Sequence, residues 1–419
     1  MTNTFDWYLG IDWGSETHHW CLIDVQGHVR GERAVGHTAG AVHDAVQWVR
    51  ALTGVAPHET AVAIETPHGV LVDTLLDQGC GVFAINPKQL DRFRDRFSAG
   101  GAKDDRRDAQ VAADALRTDR RAFRRVSSAD PVIIQLREVS RLLDDLRVEE
   151  GRLANQLREQ LYRVDAAWLT LSPAADDPWL WTILGTTPHP DAWRSLARRR
   201  ITSALRAHRI RRLTVDEVVH AVQQPRLTVA PGVPDAVAIR ITALIPQVLV
   251  VHEQRALAAR QVDRLLDQLA SRGEATEGER REHRDVEILQ SLPGVGRIVA
   301  ATMLTEAAGP LTDRDYLTLR TFAGTAPVTK RSGKRGFFVH MRYACKRRLR
   351  SALYHWSRTS IQCDAGARVY YDRLRARGHG HARALRSVAD RWLRILVAML
   401  RTGSLYDPAR FPSAVEMSA

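Results

Sequence analysis

Short apolar runs and alternating positions fill the first ninety residues. Residues 7–13 (WYLGIDW), 18–24 (HHWCLID) and 28–35 (HVRGERAV) predict three short strands, with turns at Gly14–Ser15 and Gln26–Gly27. The turns are too short for crossovers, so these strands should pair antiparallel. A helix is expected near 39–52. TAVAIET (60–66) reads as a strand, VLVDTLLDQG (70–79) as a helix and GVFAINP (81–87) as another strand. A helix from about 88, a Gly-rich loop at Ser98–Gly101 and a helix over about 104–118 complete an α/β domain, residues 1–128.

After Pro131 the period changes. Val132, Leu136, Val139, Leu143, Leu146, Leu153, Leu157 and Val164 recur at spacings of three and four, with Glu150 and Gln160 in the gaps. That pattern predicts a long amphipathic helix of coiled-coil type over 129–167. Residues 168–195 are rich in Trp and Pro, and 168–245 is expected to be a helical insertion. A second long helix, from about 247 to 272, opens a segment over 246–287 that ends in a charged link. In LQSLPGVGRIVAATMLTEAAG (289–309), Gly294 and Gly296 make a Gly-x-Gly turn between two helical stretches. This is the helix–hairpin–helix pattern, in which backbone N–H groups grip phosphate. FAGTAPVTKRSGKRGFFVH (322–340) reads as a Gly-rich basic loop, followed by Arg-rich helices at 346–361 and 381–401. The C-terminal domain spans 288–402, and 403–419 is a tail. The fold class is therefore α+β and multidomain.

Charge sharpens this picture. The net charge is +13 over 419 residues, with pI near 10.1. Residues 320–402 carry 20 Lys/Arg against 3 Asp/Glu, so the basic charge is one C-terminal block. Such a block points to nucleic acid, DNA or RNA. Cys21, Cys80, Cys345 and Cys363 lie far apart, which fits neither a disulfide framework nor a zinc site. No secretory pattern opens the chain, and no run of about 18 apolar residues is evident. A cytoplasmic protein without membrane contact is the expectation.

Within a basic protein, GGAKDDRRDA (100–109) concentrates acid. Asp105 and Asp108, three apart on a helix, share a face. Asp12 closes the first strand and Glu65 the fourth. Four such carboxylates suit Mg²⁺ (or Mn²⁺), which leaves positions for phosphate and water and promotes phosphodiester chemistry. Turn-forming and helix-capping are the bland readings of each acid taken alone. GIDWGS (10–15) also resembles the first phosphate loop of actin-like kinases. That fold needs a second Gly-rich loop later, and 150–290 is mostly Gly-poor.

The order strand-Asp, strand-Glu, Asp-x-x-Asp on a helix resembles the RNase H-like fold of RuvC-type Holliday-junction resolvases. Together, GIDWGSE, AIETPHG, AINPKQL, AKDDRRDA, SLPGVGRIVAATMLTE, FAGTAPVTKRSGKRG and RRLRSALYHWS resemble one family. It is the insertion-sequence one-ten family of DEDD transposases, also called bridge-RNA-guided serine recombinases. The resemblance covers about 1–118 and 288–400. It implies a DNA transposase with Asp12, Glu65, Asp105 and Asp108 as metal ligands. Asp104 stands where the family has Thr, and its role is left open. The resemblance also implies a catalytic Ser332 that attacks a DNA phosphodiester, with Lys330, Arg331, Lys334 and Arg335 holding the phosphate. Lys103, Arg106 and Arg107, with Lys346, Arg347 and Arg348, are further nucleic-acid candidates. Donor and target DNA, a structured non-coding guide RNA and a homo-oligomer (dimer or tetramer) with a composite site are the partners implied. The other readings are a junction nuclease with no covalent step and a non-catalytic nucleic-acid-binding protein. His18 and His19, GHGHAR (378–383), and Trp179, Trp181 and Trp193 are given no chemical role, with core packing expected for the tryptophans. Asp105→Ala and Asp108→Ala are both expected to abolish activity with little loss of folding.

Overall fold

A computed structural model describes residues 5–66, 68–85, 87–96, 104–126, 130–271, 285–332 and 335–408. The side chains of residue 88 and of 330–339 lie outside that description. The chain divides into two compact units, Met1–Asp130 and Pro131–Ala419.

The first unit is a six-stranded sheet with order β3-β2-β1-β4-β5-β6. Strands β1 (Trp7–Asp12), β2 (Thr17–Asp24) and β3 (Val29–Gly36) form the antiparallel meander expected from their turns. β4 (Thr60–Ile64) pairs parallel with β1, and β5 (Gly81–Ala84) parallel with β4. The two-residue edge strand β6 (Arg124–Arg125) returns antiparallel to β5. Helices α1 (Ala39–Thr53), α2 (Val70–Asp77), α3 (Pro87–Arg94) and α4 (Asp105–Thr118) complete the unit.

Alternation along β1 sorts the two faces. Leu9 and Ile11 join the core that holds Val42, Val46 and Val49 of α1 and Leu71, Val72 and Leu75 of α2. Tyr8 joins the opposite core with Ala109, Ala112, Ala113 and Leu116 of α4. Gly10 lies on that second face. A β-carbon there would sit 1.8 Å from the Ala109 carbonyl oxygen, so only glycine admits an alanine-rich helix this close.

The second unit is built on two long helices. α5 (Pro131–Val164) has 34 residues and so spans about 50 Å. After α6 (Ala167–Leu171), α7 (Pro178–Thr186), α8 (Arg198–Ala207) and α9 (Val215–Gln223) comes α10 (Val233–Ser271). α10 starts well before residue 247 because the helix runs on through Pro246. Such a proline removes one backbone hydrogen bond, which tertiary packing must offset. The start of α5 shares a core with the end of α10 (Val132, Leu136 and Leu143 with Val262, Leu266 and Leu269), so the pair is antiparallel. The other ends share a core with α6–α9 (Leu153, Leu157 and Leu161 with Val237, Ile241 and Val248). Between the two cores Glu150 contacts His252 (3.3 Å) and Arg255 (2.5 Å), so one apparent gap in the apolar pattern is a half-buried ion pair.

Trp168, Trp179, Trp181 and Trp193 are fully buried, and the indole N–H groups of Trp181 and Trp193 donate to Ala175 O and Thr187 O at 2.8 Å. They are core residues, as expected. α10 also corrects the sequence reading on apolar runs. It contains an 18-residue window of mean hydropathy 1.5, long and apolar enough by length and composition alone to cross a membrane. Its buried residues pack into the two cores just described.

The C-terminal part of this unit comprises α11 (285–291), α12 (Arg297–Glu306), α13 (Ala308–Thr312), α14 (Tyr316–Phe322), α15 (Arg347–Cys363), α16 (Ala365–Ala376) and α17 (His381–Thr402). Between α14 and α15, strands β7 (Val328–Ser332) and β8 (Arg335–His340) form an antiparallel hairpin where a basic loop was expected. Glycine and charge at the tip hide its alternation in the sequence.

Candidate active site

The acid-bearing elements meet at one end of the first unit's sheet. Asp12 closes β1, and Glu65 directly follows β4, whose Ile64 pairs with Ile11. α4 lies across β1 at Gly10 and runs antiparallel to it. Its last-turn Arg117 donates to Val25 O at 3.3 Å, at the far end, where Asp24 pairs with Trp7. The N-terminal turn of α4, with Asp105 and Asp108, therefore lies toward the Asp12 end.

The side chains are not gathered into a cage. Among the described residues, no group of three or more His, Cys, Asp and Glu side chains is placed to hold a metal ion. Asp108 is only 2 % exposed and is held by Arg94 of α3. Arg94 Nη2 donates to Asp108 Oδ2 at 2.9 Å, and its Nε lies 2.7 Å from Oδ1. Sequence reading missed Arg94, because nothing in its local context marks a partner fourteen residues away on another helix. Asp105 is exposed. Asp104 caps α4 by accepting from Arg106 N at 3.3 Å, which gives the extra acid a structural role. Arg106 pairs with Glu32, Arg107 is half-buried, and Lys103 lies outside the described residues.

On β2, next to the His19 that pairs with Asp12, the His18 ring is fully buried. Its Nδ1 accepts from Gly14 N at 3.3 Å, so the proton sits on Nε2, which lies 2.9 Å from His37 Nδ1. Burial, with His37 adding to it, holds the His18 pKa below its ordinary value of 6.5. Below pH 6.5 the unfolded chain therefore takes a proton that the folded chain refuses, and stability falls as pH drops through that window. Melting curves from pH 8 to 5 should show this loss in the wild type and a shallower one in His18→Gln. A wild type no less stable at pH 5 contradicts the assignment.

In the second unit the hairpin backbone sets Ser332 opposite Arg335, next to an irregularity in the ladder at Arg331/Ser332. Gly333 and Lys334 lie outside the described residues, as do the side chains of Lys330, Arg331, Ser332 and Arg335. Gly294 has φ +80°, and a β-carbon on it would meet Ser360 N of α15 at 2.8 Å. Trp356 Nε1 donates to Pro293 O at 2.9 Å. Close packing on α15 thus accounts for Gly294. Gly296 caps α12, with no atom near the position of a β-carbon.

Part of the expected phosphate-binding charge is internal. Glu306 is buried among Lys346 (3.6 Å), Arg348 (3.2 Å) and Arg141 (3.3 Å), and Arg348 also reaches Asp144 at 2.8 Å. Lys346 and Arg348 therefore brace α12 and α15 against α5. Arg347, between them, is exposed.

Comparison with known proteins agrees with this layout. A family profile described as "Transposase" matches residues 9–164, and one described as "Transposase IS116/IS110/IS902 family" matches 286–372. The candidate mini-circle transposase for IS117 of Streptomyces coelicolor is 30 % identical over 414 residues, covering 96 % of each chain. An insertion element IS110 protein from the same organism is 28 % identical over 418 residues, covering 98 % of each. The candidate transposase y4uE of Sinorhizobium fredii is 47 % identical over 213 residues, 51 % of this chain and 59 % of that one. The first profile brackets all four sheet-end acids and the second brackets Ser332, and with end-to-end similarity to the IS117 protein they establish that this chain belongs to the IS116/IS110/IS902 family of transposases.

Proposed function

We propose that the protein is a DNA recombinase that moves an insertion sequence by transesterification through Ser332. The observation that carries this reading is the convergence of Asp12, Glu65 and the first turn of α4 at one sheet end, within a matched transposase region, while a second matched region holds a serine at the tip of a basic hairpin. In the reaction the Ser332 Oγ–H gives up its proton and Oγ bonds to phosphorus. The P–O bond to one deoxyribose oxygen breaks, and that oxygen takes a proton. A second DNA hydroxyl then attacks the phosphoserine, releasing the serine and sealing the new strand. One phosphoester bond forms for each one broken, so no external energy is needed. Lys330, Arg331, Lys334 and Arg335 offset the charge that builds on the phosphoryl oxygens.

The sheet topology supports an RNase H-like reading of the first unit. The donor set is hard oxygen only, which suits Mg²⁺ or Mn²⁺. Asp12, Glu65, Asp105 and Asp108 would hold the ion, which would supply Lewis-acid stabilisation to the phosphate. Arg94 neutralises the buried Asp108, so guanidinium and ion would share that carboxylate. Arg94→Ala strands a buried carboxylate and should lower stability by about 3 kcal/mol in chelator. Added Mg²⁺ should recover much of that loss. A variant equally unstable with and without Mg²⁺ makes Asp108 a purely structural acid.

The α5–α10 pair exposes Leu142, Val148 and Tyr162 on one helix and Ile239, Val250 and Leu257 on the other, which supports assembly into a homo-oligomer. The basic block supports a structured non-coding guide RNA encoded beside the gene, in a cytoplasmic complex with donor and target DNA. Sequencing RNA that co-purifies from the native host tests this. One discrete species, released steeply as salt rises, is expected. Only random cellular RNA, with recombination unchanged after ribonuclease treatment, rejects the guide.

A further inference from the structure

A cavity of about 490 Å³ lies in the second unit between α14, α15 and α17. Its volume falls within the range of small-molecule sites. Arg347 and Arg350 of α15 and Arg386 of α17 line it, beside Tyr354, Leu353 and Leu385. Most neighbouring cations have internal partners. Lys346 and Arg348 serve Glu306, and Arg320 serves Asp390 at 3.0 Å. The three cavity arginines make no ion pair or side-chain hydrogen bond among the described residues. The nearest acid on α17, Asp390, is saturated by Arg320, by the Tyr316 hydroxyl (2.9 Å) and by Thr325 Oγ1 (2.9 Å). Burial, with Arg383 and Arg350 beside it, depresses the Arg386 guanidinium from its usual range. Three guanidiniums lining one cavity without a counter-charge repel one another, and an entering anion relieves that repulsion.

The geometry points to a pocket for one unstacked nucleotide of a nucleic-acid strand, its phosphate held by Arg347, Arg350 and Arg386 and its base against Tyr354. Guanidiniums suit phosphate oxygens through paired N–H donors. The aromatic and aliphatic lining suits a base face and is wasted on a bare anion. A paired duplex keeps its bases stacked and cannot insert one, so the pocket selects single-stranded or bulged segments. The inference rests on the nucleic-acid reading above, and Arg350, Arg386 and Tyr354 have no part in strand transfer assigned there.

Fluorescence anisotropy on the full-length protein tests it, with a fluorescein-labelled single-stranded DNA decamer and the same sequence as a blunt duplex. Arg350→Gln, Arg386→Gln and Tyr354→Ala should each weaken single-strand binding roughly tenfold and duplex binding less than twofold. Tyr354→Phe should retain wild-type affinity, and melting curves verify that each variant is folded. Equal losses on both probes, or no loss on either, overturn the pocket. If adenosine monophosphate binds as tightly as the decamer, the site serves a free nucleotide and the strand assignment fails. Should Ser332 form no DNA adduct while these selective losses appear, the recombinase reading falls and the pocket stands.

Discussion

Ser332→Ala should reduce strand transfer by roughly five to six orders of magnitude, to background, while leaving DNA binding and melting temperature unchanged. The size follows from removing the only atom that bonds to phosphorus in the first step, and nucleophile deletions have effects of that order. Ser332 ends β7, at the turn of a two-stranded hairpin. The substitution removes a single hydroxyl oxygen. Ser332→Cys separates chemistry from position, because a thiol of similar size should give a slow adduct where alanine gives none. Recombination by Ser332→Ala at even a tenth of the wild-type rate removes the serine from the mechanism.

The second large effect concerns the acids, and the structure splits two substitutions that the sequence treats alike. Asp105 is exposed at the start of α4, so Asp105→Ala should cost little stability and reduce strand transfer by at least about 10³-fold. Asp108 is buried against Arg94, so Asp108→Ala removes two charged contacts, leaves Arg94 only Asp91 as partner, and should lower stability by about 2 kcal/mol. Asp108→Asn keeps the shape and some of the hydrogen bonding, and should be the cleaner test. Excess chelator should silence the wild type to the same degree. Full activity in chelator contradicts a metal role for these carboxylates.

What could be read in advance follows from periodicity. The β1–β3 meander, α1, α2 and α4 lie within about two residues of their expected places, because alternation and glycine turns are local signals. The edge strand β6 is two arginines and carries no apolar signal. The β7–β8 hairpin hides its alternation behind lysine, arginine and glycine. α10 begins fourteen residues before its expected start because Pro246 reads as a helix boundary, whereas packing of Val237, Ile241 and Val248 carries the helix through it. The same division holds at the site. The positions of Asp12, Glu65 and α4 follow from strand order. The Arg94–Asp108 pair and the Glu306 network depend on contacts between distant segments, which charge counts cannot show. The sequence therefore marks Lys346 and Arg348 as nucleic-acid candidates without showing their internal partners, and it does not single out Arg350 and Arg386.

The central claim is the covalent step, and peptide mapping after a denaturing quench tests it most directly. Protein purified with its RNA would be incubated with donor and target DNA and Mg²⁺, quenched in detergent, digested with nuclease and protease, and analysed by mass spectrometry. The account predicts a nucleotide joined through phosphate to the peptide containing Ser332, and no such peptide from Asp105→Ala or without Mg²⁺. Metal-dependent DNA cleavage that proceeds with no protein–DNA adduct at any time point would contradict it and identify a hydrolytic nuclease instead.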